Sequence, residues 1–234
     1  TLELGGSDPM IVMDDADIDK AVEGALRGRF YNAGQTCTAV KRLYVHDRIA
    51  GEFIQKLKAR ITVMNIGNGL GPKTDMGPLN SAEQREQVIR MVDGTRERAE
   101  GNILVGGGIL RGKAYETGYF FHPTLVTDVV PGSCLVTEEL FGPVLPVMTF
   151  RDPEEAIALA NDSQYGLTAS VWTRSRKTAD WAARSLEAGG VTINDHMITF
   201  NEPGAIWGGI KQTGMGRTHG PYGLLEIANI KFVS

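Results

Sequence analysis

The sequence has few of the residues that mark metal, disulfide, nucleic-acid and membrane proteins. Its 234 residues include only two cysteines, Cys37 and Cys134, and four histidines. Without a C-x-x-C pair, the chain predicts neither a zinc site nor a disulfide framework, and no metal is expected. A net charge of −4 gives no basic face for nucleic acid. No apolar run has the length of a membrane span. No signal peptide is visible, and we expect a cytoplasmic protein.

A dinucleotide-binding fingerprint is also missing, because no G-x-G-x-x-G lies between a predicted strand and a predicted helix. The glycines within 214–220 follow a loop, and those at 106–108 follow a strand but precede no helix pattern. We predict tight turns at both places. The chain alone should therefore bind a dinucleotide weakly.

Strand and helix patterns alternate along most of the chain. Strands are predicted at 9–13, 41–46, 103–105, 144–150, 167–173 and 190–194, and helices at 17–31, 49–63, 81–99, 153–161 and 177–186. This alternation predicts an α/β fold with an open, mainly parallel sheet flanked by helices. A further strand within 120–130 contains Pro123, so we place it at a sheet edge.

Cys37 lies just beyond the helix predicted at 17–31. Asn32 and Gly34 can end that helix in the left-handed conformation, so the thiol should sit on a turn. A buried, unreactive cysteine is the simpler interpretation of the spacing. Glu3, before Gly5-Gly6, would add a carboxylate base to a thiol nucleophile. Ligands in open parallel sheets bind at the carboxyl ends of strands, where we expect both turns.

Five ordered motifs in this chain resemble those of the aldehyde dehydrogenase superfamily, over residues 1 to about 231. They are Glu3-Leu4-Gly5-Gly6, the segment 34–39 (GQTCTA), 138–143 (EELFGP), 165–169 (YGLTA) and 208–217 (GGIKQTGMGR). The resemblance implies an open α/β catalytic domain over 1–234. It also implies an N-terminal dinucleotide-binding domain, which this chain does not contain. Because the chain starts at Thr1 within a predicted strand, we expect a fragment.

The resemblance implies oxidation of a small aldehyde to a carboxylate. The Cys37 thiolate would attack the aldehyde carbon to form a thiohemiacetal, with the oxyanion held by the Cys37 N–H and an Asn from the absent half. Hydride transfer to NAD or NADP would leave a thioester. Glu3 would activate the hydrolytic water, and a partly apolar site should raise the pKa of its carboxyl.

Cofactor, substrate and partner residues are also implied. Glu139 would bind the nicotinamide ribose and Phe141 would pack beside the nicotinamide, whereas the main cofactor site lies in the absent domain. Residues 229–234 would begin a strand that joins a partner subunit, so the intact protein should be a homo-oligomer. Lys211 is expected to be structural. Candidate substrate-pocket residues are Thr36, Thr38, Met197, Ile198 and Phe200.

Residues 38–42 are similar to the branch that acts on lactaldehyde and glyceraldehyde derivatives, and the semialdehyde branch stays open. Three alternatives to the dehydrogenase also remain. They are a cysteine-dependent esterase or acyl transferase without a redox cofactor, a non-catalytic domain that retains the fold, and a CoA-acylating relative. Glu3 in the base position favours hydrolysis to the free acid.

Overall fold

The predicted alternation is present in the chain, whose computed structural model describes residues 1–197 and 202–234. The strands are β1 (Leu2–Glu3), β2 (Asp8–Val12), β3 (Val40–His46), β4 (Asn102–Val105), β5 (Thr124–Thr127), β6 (Val144–Phe150), β7 (Tyr165–Gly166), β8 (Thr168–Trp172), β9 (Gly190–Ile193), β10 (Ile210–Lys211) and β11 (Gly214–Met215). The helices are α1 (Ile18–Phe30), α2 (Asp47–Thr62), α3 (Ala82–Glu97), α4 (Cys134–Thr137), α5 (Pro153–Asn161), α6 (Arg176–Ser185) and α7 (Gly220–Glu226).

Seven strands form the central sheet, in the order β4-β5-β6-β3-β2-β8-β9. Every neighbouring pair is parallel except β4 and β5, which are antiparallel. All residues of β2 and β3 are buried, as expected of parallel strands that helices cover on both faces. The predicted α/β class with a mainly parallel sheet is therefore confirmed.

The placement of the strand within 120–130 at a sheet edge is wrong. Strand β5 covers only Thr124–Thr127 and lies between β4 and β6. Pro123 precedes the strand, so its missing N–H removes no hydrogen bond from the ladder. The first donor of the strand, the Thr124 N–H, reaches the Pro143 carbonyl at 2.8 Å.

Helix α1 begins and ends as its sequence predicts. The Asp17 side chain accepts a hydrogen bond from the Lys20 N–H at 3.2 Å, which caps the first turn. After Phe30 the chain passes through Asn32, Ala33 and Gly34, which have φ values of 50°, 55° and 74°. This left-handed turn directs the backbone from α1 to Cys37 and then into β3.

The last six residues, 229–234, are exposed and form no strand in the isolated chain. Their pairing with a partner subunit stays a prediction. None of the helices within the described ranges has the length and apolar content to cross a lipid bilayer.

Gly28 of α1 provides a test of how closely this helix packs on the sheet. A Cβ there would lie 2.7 Å from Val40 Cγ2 and 2.9 Å from His196 Cδ2, closer than side chains pack. We expect Gly28→Ala to lower the free energy of unfolding by roughly 1–3 kcal/mol, measured by urea denaturation.

Gly51 of α2 is the matched control, because nothing lies within 4 Å of a Cβ built there. Gly51→Ala should stabilise the protein by about 0.5–1 kcal/mol, since Ala is the better helix former. Equal effects of the two substitutions would contradict the close packing of α1.

Candidate active site

The turns with the predicted catalytic and cofactor residues each precede a strand of the central sheet. Gly5-Gly6 precedes β2, Cys37 precedes β3, and the segment 139–141 precedes β6. Because β2, β3 and β6 are parallel, these turns meet at the amino ends of the strands. The prediction that the turns with Glu3 and Cys37 lie at the carboxyl ends of the sheet strands is therefore wrong. That rule concerns turns that follow strands, and these turns come before them.

The two glycines bring three of the motifs into contact. The Gly6 N–H donates to Glu139 Oε1 at 2.9 Å. A Cβ on Gly5 would lie 2.6 Å from Glu139 Oε2, and one on Gly6 would lie 2.8 Å from the Cys37 carbonyl oxygen. Only residues without a side chain therefore allow the Glu139 carboxylate and the Cys37 turn to approach this backbone so closely.

Lys41 joins the same segments through its ammonium group, and the sequence analysis did not identify it as a site residue. Its Nζ lies 2.7 Å from the Cys37 carbonyl oxygen, 3.1 Å from that of Thr36 and 3.2 Å from Glu139 Oε1. The side chain is wholly buried, and Nζ lies 5.3 Å from the centre of the Phe141 ring. The available signal was a lysine within a predicted strand that also contains Leu43 and Val45, because a buried ammonium needs partners.

The Cys37 thiol is half-buried, and burial raises its pKa above the ordinary value. The carboxylate of Asp8 acts in the same direction, whereas the Lys41 charge and the backbone N–H groups of Thr38 and Cys37 act against it. Burial also raises the pKa of Asp8 to about 6, although Lys41 and the hydrogen bonds from Thr168 oppose this. In the chain as described, the thiol is therefore mainly protonated at neutral pH.

His196 fixes the residue after the cysteine, and sequence reasoning missed it. Its Nε2 lies 2.7 Å from the Thr38 carbonyl oxygen and its Nδ1 lies 2.8 Å from Ser170 Oγ. A carbonyl can only accept, so Nε2 carries the proton and Nδ1 accepts from the serine. Burial lowers the pKa of His196 to about 4, so the ring is neutral at pH 7. Lys41 and His196 together hold the three consecutive carbonyls of residues 36–38.

Arg29 of α1 holds the loop that carries Glu139. The buried guanidinium donates to the Val40 carbonyl at 3.2 Å and to the Leu140 carbonyl at 3.0 Å, and it also donates to the Gly142 carbonyl. These bonds fasten the residues around Phe141 to the start of β3. The Glu139 loop is thus held from both sides, by Arg29 and by Lys41.

Glu3 lies apart from these contacts. It is exposed, and its carboxylate accepts a hydrogen bond from Thr218 Oγ1 at 3.3 Å. Strand β1 pairs with β11, and the Leu4 N–H donates to the Thr213 carbonyl at 2.8 Å. Within the described residues, the partly apolar surrounding expected for Glu3 is not present, and no contact joins its carboxylate to Cys37.

The candidate pocket residues differ in exposure. Thr36 is half-buried, whereas Thr38 is only 2% exposed, which favours a packing role for its side chain. Met197 is half-buried and follows His196 with a φ of 74°. Ile198 and Phe200 lie outside the described residues. Lys211 donates to the Asn161 carbonyl at 2.7 Å and pairs with Glu187 at 2.8 Å, which supports its expected structural role.

An open cleft of about 460 Å³ borders the Glu139 loop. It is lined by Gln84, Gln87, Glu138, Glu139, Phe141, Gln164 and Tyr165. Across residues 1–197 and 202–234, no group of three or more His, Cys, Asp or Glu side chains is placed to hold a metal ion. The polar side chains of this cleft are thus amides, two carboxylates and a phenol, and Lys41 contacts one of the carboxylates, that of Glu139.

Solved structures with the same fold include bacterial aldehyde dehydrogenases. A betaine aldehyde dehydrogenase from Staphylococcus aureus, in complex with NAD⁺ and with a β-mercaptoethanol-modified cysteine, superposes with a TM-score of 0.92 at 40% identity. That match covers 95% of this chain and 45% of the other. An aldehyde dehydrogenase from Bacillus cereus gives a TM-score of 0.90 at 40% identity, over 96% of this chain and 44% of the other.

Sequence comparison agrees with the structural match. A betaine aldehyde dehydrogenase from Brucella anthropi is 39% identical over all 234 residues, which are 47% of its length, and one from Brucella melitensis is 40% identical over the same shares. The chain thus spans about half the length of these relatives. The sequence model of the aldehyde dehydrogenase family matches residues 1–233. Because that match extends over nearly the whole sequence, the chain belongs to the aldehyde dehydrogenase family.

Proposed function

We propose that residues 1–234 are the catalytic domain of an aldehyde dehydrogenase that uses Cys37 as its nucleophile. One observation supports the proposal most directly. The Cys37 turn, the Gly5-Gly6 backbone and the Glu139 carboxylate are in contact at the amino ends of β2, β3 and β6. These are three of the five motifs that resemble the family. A buried structural thiol would not need two neighbouring segments to be fixed around it.

The covalent steps take place on Cys37. Its thiolate attacks the aldehyde carbon, and the carbonyl oxygen becomes the oxyanion of a thiohemiacetal. The Cys37 backbone N–H, together with a donor from outside this chain, stabilises that charge. Loss of a hydride from the same carbon leaves a thioester. Water then adds to the thioester, and cleavage of the C–S bond gives the carboxylate and returns the thiol.

Glu3 is the proposed base for the hydrolytic water. The carboxylate is exposed in the isolated chain, where bulk water surrounds it and no single water is held for attack on the thioester. We therefore propose that a further part of the protein covers Glu3 and makes its surroundings more apolar. The Gly5-Gly6 turn that follows it already contacts Cys37 and Glu139.

NAD is the proposed cofactor, since the related structure from S. aureus is an NAD⁺ complex; NADP is the alternative. When bound, NAD supplies the acceptor for the hydride that the former aldehyde carbon loses. Glu139 and Phe141 line the cleft and fit a ribose hydroxyl and an apolar ring face respectively. The main dinucleotide site is proposed to lie in an N-terminal domain outside these residues.

Betaine aldehyde is the first substrate to test, because the relatives at 39–40% identity are named for it. The similarity of residues 38–42 to the lactaldehyde and glyceraldehyde branch makes small hydroxylated aldehydes the second group. Thr36 and Met197, together with Ile198 and Phe200, are the proposed pocket residues, and Thr38 takes part through its backbone. We also propose that the intact protein is a cytoplasmic homo-oligomer that pairs through residues 229–234.

Acylation of Cys37 tests the proposed nucleophile in the chain as it stands, because acyl transfer needs no hydride acceptor. We expect p-nitrophenyl acetate to acetylate Cys37, as detected by peptide mass spectrometry, with release of p-nitrophenol. Cys37→Ala should abolish the acetylation, whereas Cys134→Ala should retain it. Acetylation of Cys134 alone, or an unchanged rate in Cys37→Ala, would contradict the assignment.

The same experiment bears on the alternative of an esterase. Steady turnover of the ester by this chain would favour acyl transfer without a redox step. Acetylation of Cys37 followed by slow hydrolysis would favour a dehydrogenase whose base needs the rest of the protein.

The pH dependence of Cys37 alkylation follows from its environment. Burial and Asp8 raise the pKa of the thiol, and the thiolate is the reactive form. The rate of reaction with iodoacetamide should therefore rise with pH and reach half its maximum above the value of about 8.5 for a free cysteine. A midpoint below that of a model peptide would show that the thiol is activated in this chain alone.

A further inference from the structure

The hydrogen bonds of the Lys41 ammonium all lie within the candidate active site. Its ammonium has three N–H donors, and three acceptors surround it, on Thr36, Cys37 and Glu139. Two acceptors belong to the Cys37 turn and the third to the loop before β6. The buried ammonium is thus saturated by the two segments that carry the proposed chemistry.

We propose that Lys41 is a positioning residue that fixes the Cys37 turn and the Glu139 carboxylate in a single arrangement and places its positive charge beside Cys37, whose carbonyl oxygen lies 2.7 Å from Nζ. The proposal rests on the proposed functions of Cys37 and Glu139. It adds a residue whose role is to align them.

The two carboxylate oxygens of Glu139 support this role because their hydrogen-bond partners differ. Oε1 accepts from Lys41 Nζ and from the Gly6 N–H. Oε2 lies against Gly5, and none of the described residues donates a hydrogen bond to it. The lysine therefore orients the carboxylate so that one oxygen is held and the other remains able to accept from a ligand hydroxyl.

The charges around Lys41 set the field at the thiol. Burial lowers the pKa of the Lys41 ammonium, the negative charges of Asp8 on β2 and Glu139 in the loop before β6 act against this, and the positive charge of Arg29 on α1 adds to it. At Cys37, burial is the main cause of the raised pKa, the charge of Asp8 raises the pKa further, and the charge of Lys41 lowers it. Loss of the lysine would leave only the backbone N–H groups of Thr38 and Cys37, among the described residues, to oppose the effects of burial and Asp8 on the thiol.

A purely structural lysine would give a different result from a positioning one. Removing one partner of a buried ion pair destabilises a protein whichever role the lysine has, so stability alone does not separate the two roles. The pH midpoint of Cys37 alkylation does separate them, because that midpoint changes only if the charge of the lysine acts on the thiol.

The experiment compares alkylation of Cys37 by iodoacetamide between pH 6 and about pH 11 in Cys134→Ala and in the same chain with Lys41→Met. We expect Lys41→Met to move the midpoint upward by about one pH unit. Alkylation below both midpoints should then be on the order of tenfold slower. Lys56→Met is the matched control, because Lys56 is a surface residue paired with Asp19 and Glu52, and its midpoint should equal that of the parent.

Glu139→Gln provides a second variant in case Lys41→Met does not fold, as judged by circular dichroism. Removing this carboxylate leaves the Lys41 charge less neutralised, so the Cys37 midpoint should move downward. An unchanged midpoint in folded Lys41→Met overturns the proposal, and so does an upward shift in Glu139→Gln. If p-nitrophenyl acetate fails to acetylate Cys37 while both shifts occur, the proposed catalytic function fails and the positioning role stands.

Discussion

A buried ammonium needs hydrogen-bond acceptors, and in this chain the acceptors of Lys41 come from the two segments that form the candidate active site. Lys41 is wholly buried on β3, where an ammonium without partners would be strongly unfavourable. The acceptors come from the turn before its own strand and from the loop before β6. The turn and the loop are therefore held together by the same contacts that make burial of the lysine tolerable.

Other buried polar groups extend this arrangement. Arg29 fastens the loop around Phe141 to β3, and His196 holds the Thr38 carbonyl. The glycines at 5 and 6 let the backbone approach Glu139 and Cys37 without a side chain in between. These contacts hold together the segments that precede β2, β3 and β6, and the cleft beside Glu139 borders them.

The sequence predicted the elements well because their signals are local. The 3.6-residue pattern of α1, its Asp17 cap and its left-handed exit involve residues a few positions apart. The family motifs likewise predicted that Cys37 and the Glu139 loop belong to the active site. The strand within 120–130 was wrongly placed at a sheet edge because composition does not show that Pro123 lies just outside β5.

Contacts that define the site were harder to predict because they join distant parts of the chain. Lys41 and Glu139 are separated by 98 residues, and His196 and Thr38 by 158. No periodicity relates such pairs. Whether the turns before β2, β3 and β6 meet at one end of the sheet also depends on these strands being adjacent and parallel, which no local sequence pattern shows.

In the function proposed above, this chain contributes a nucleophile and the nicotinamide end of a cofactor site, and the main dinucleotide site is proposed to lie outside these residues. The most direct measurement is a titration of the 234-residue chain with NAD, followed by the fluorescence of Trp172, Trp181 and Trp207. The account predicts no saturation up to millimolar NAD. Saturable binding at micromolar concentration would contradict it, because a complete dinucleotide site would then exist within these residues.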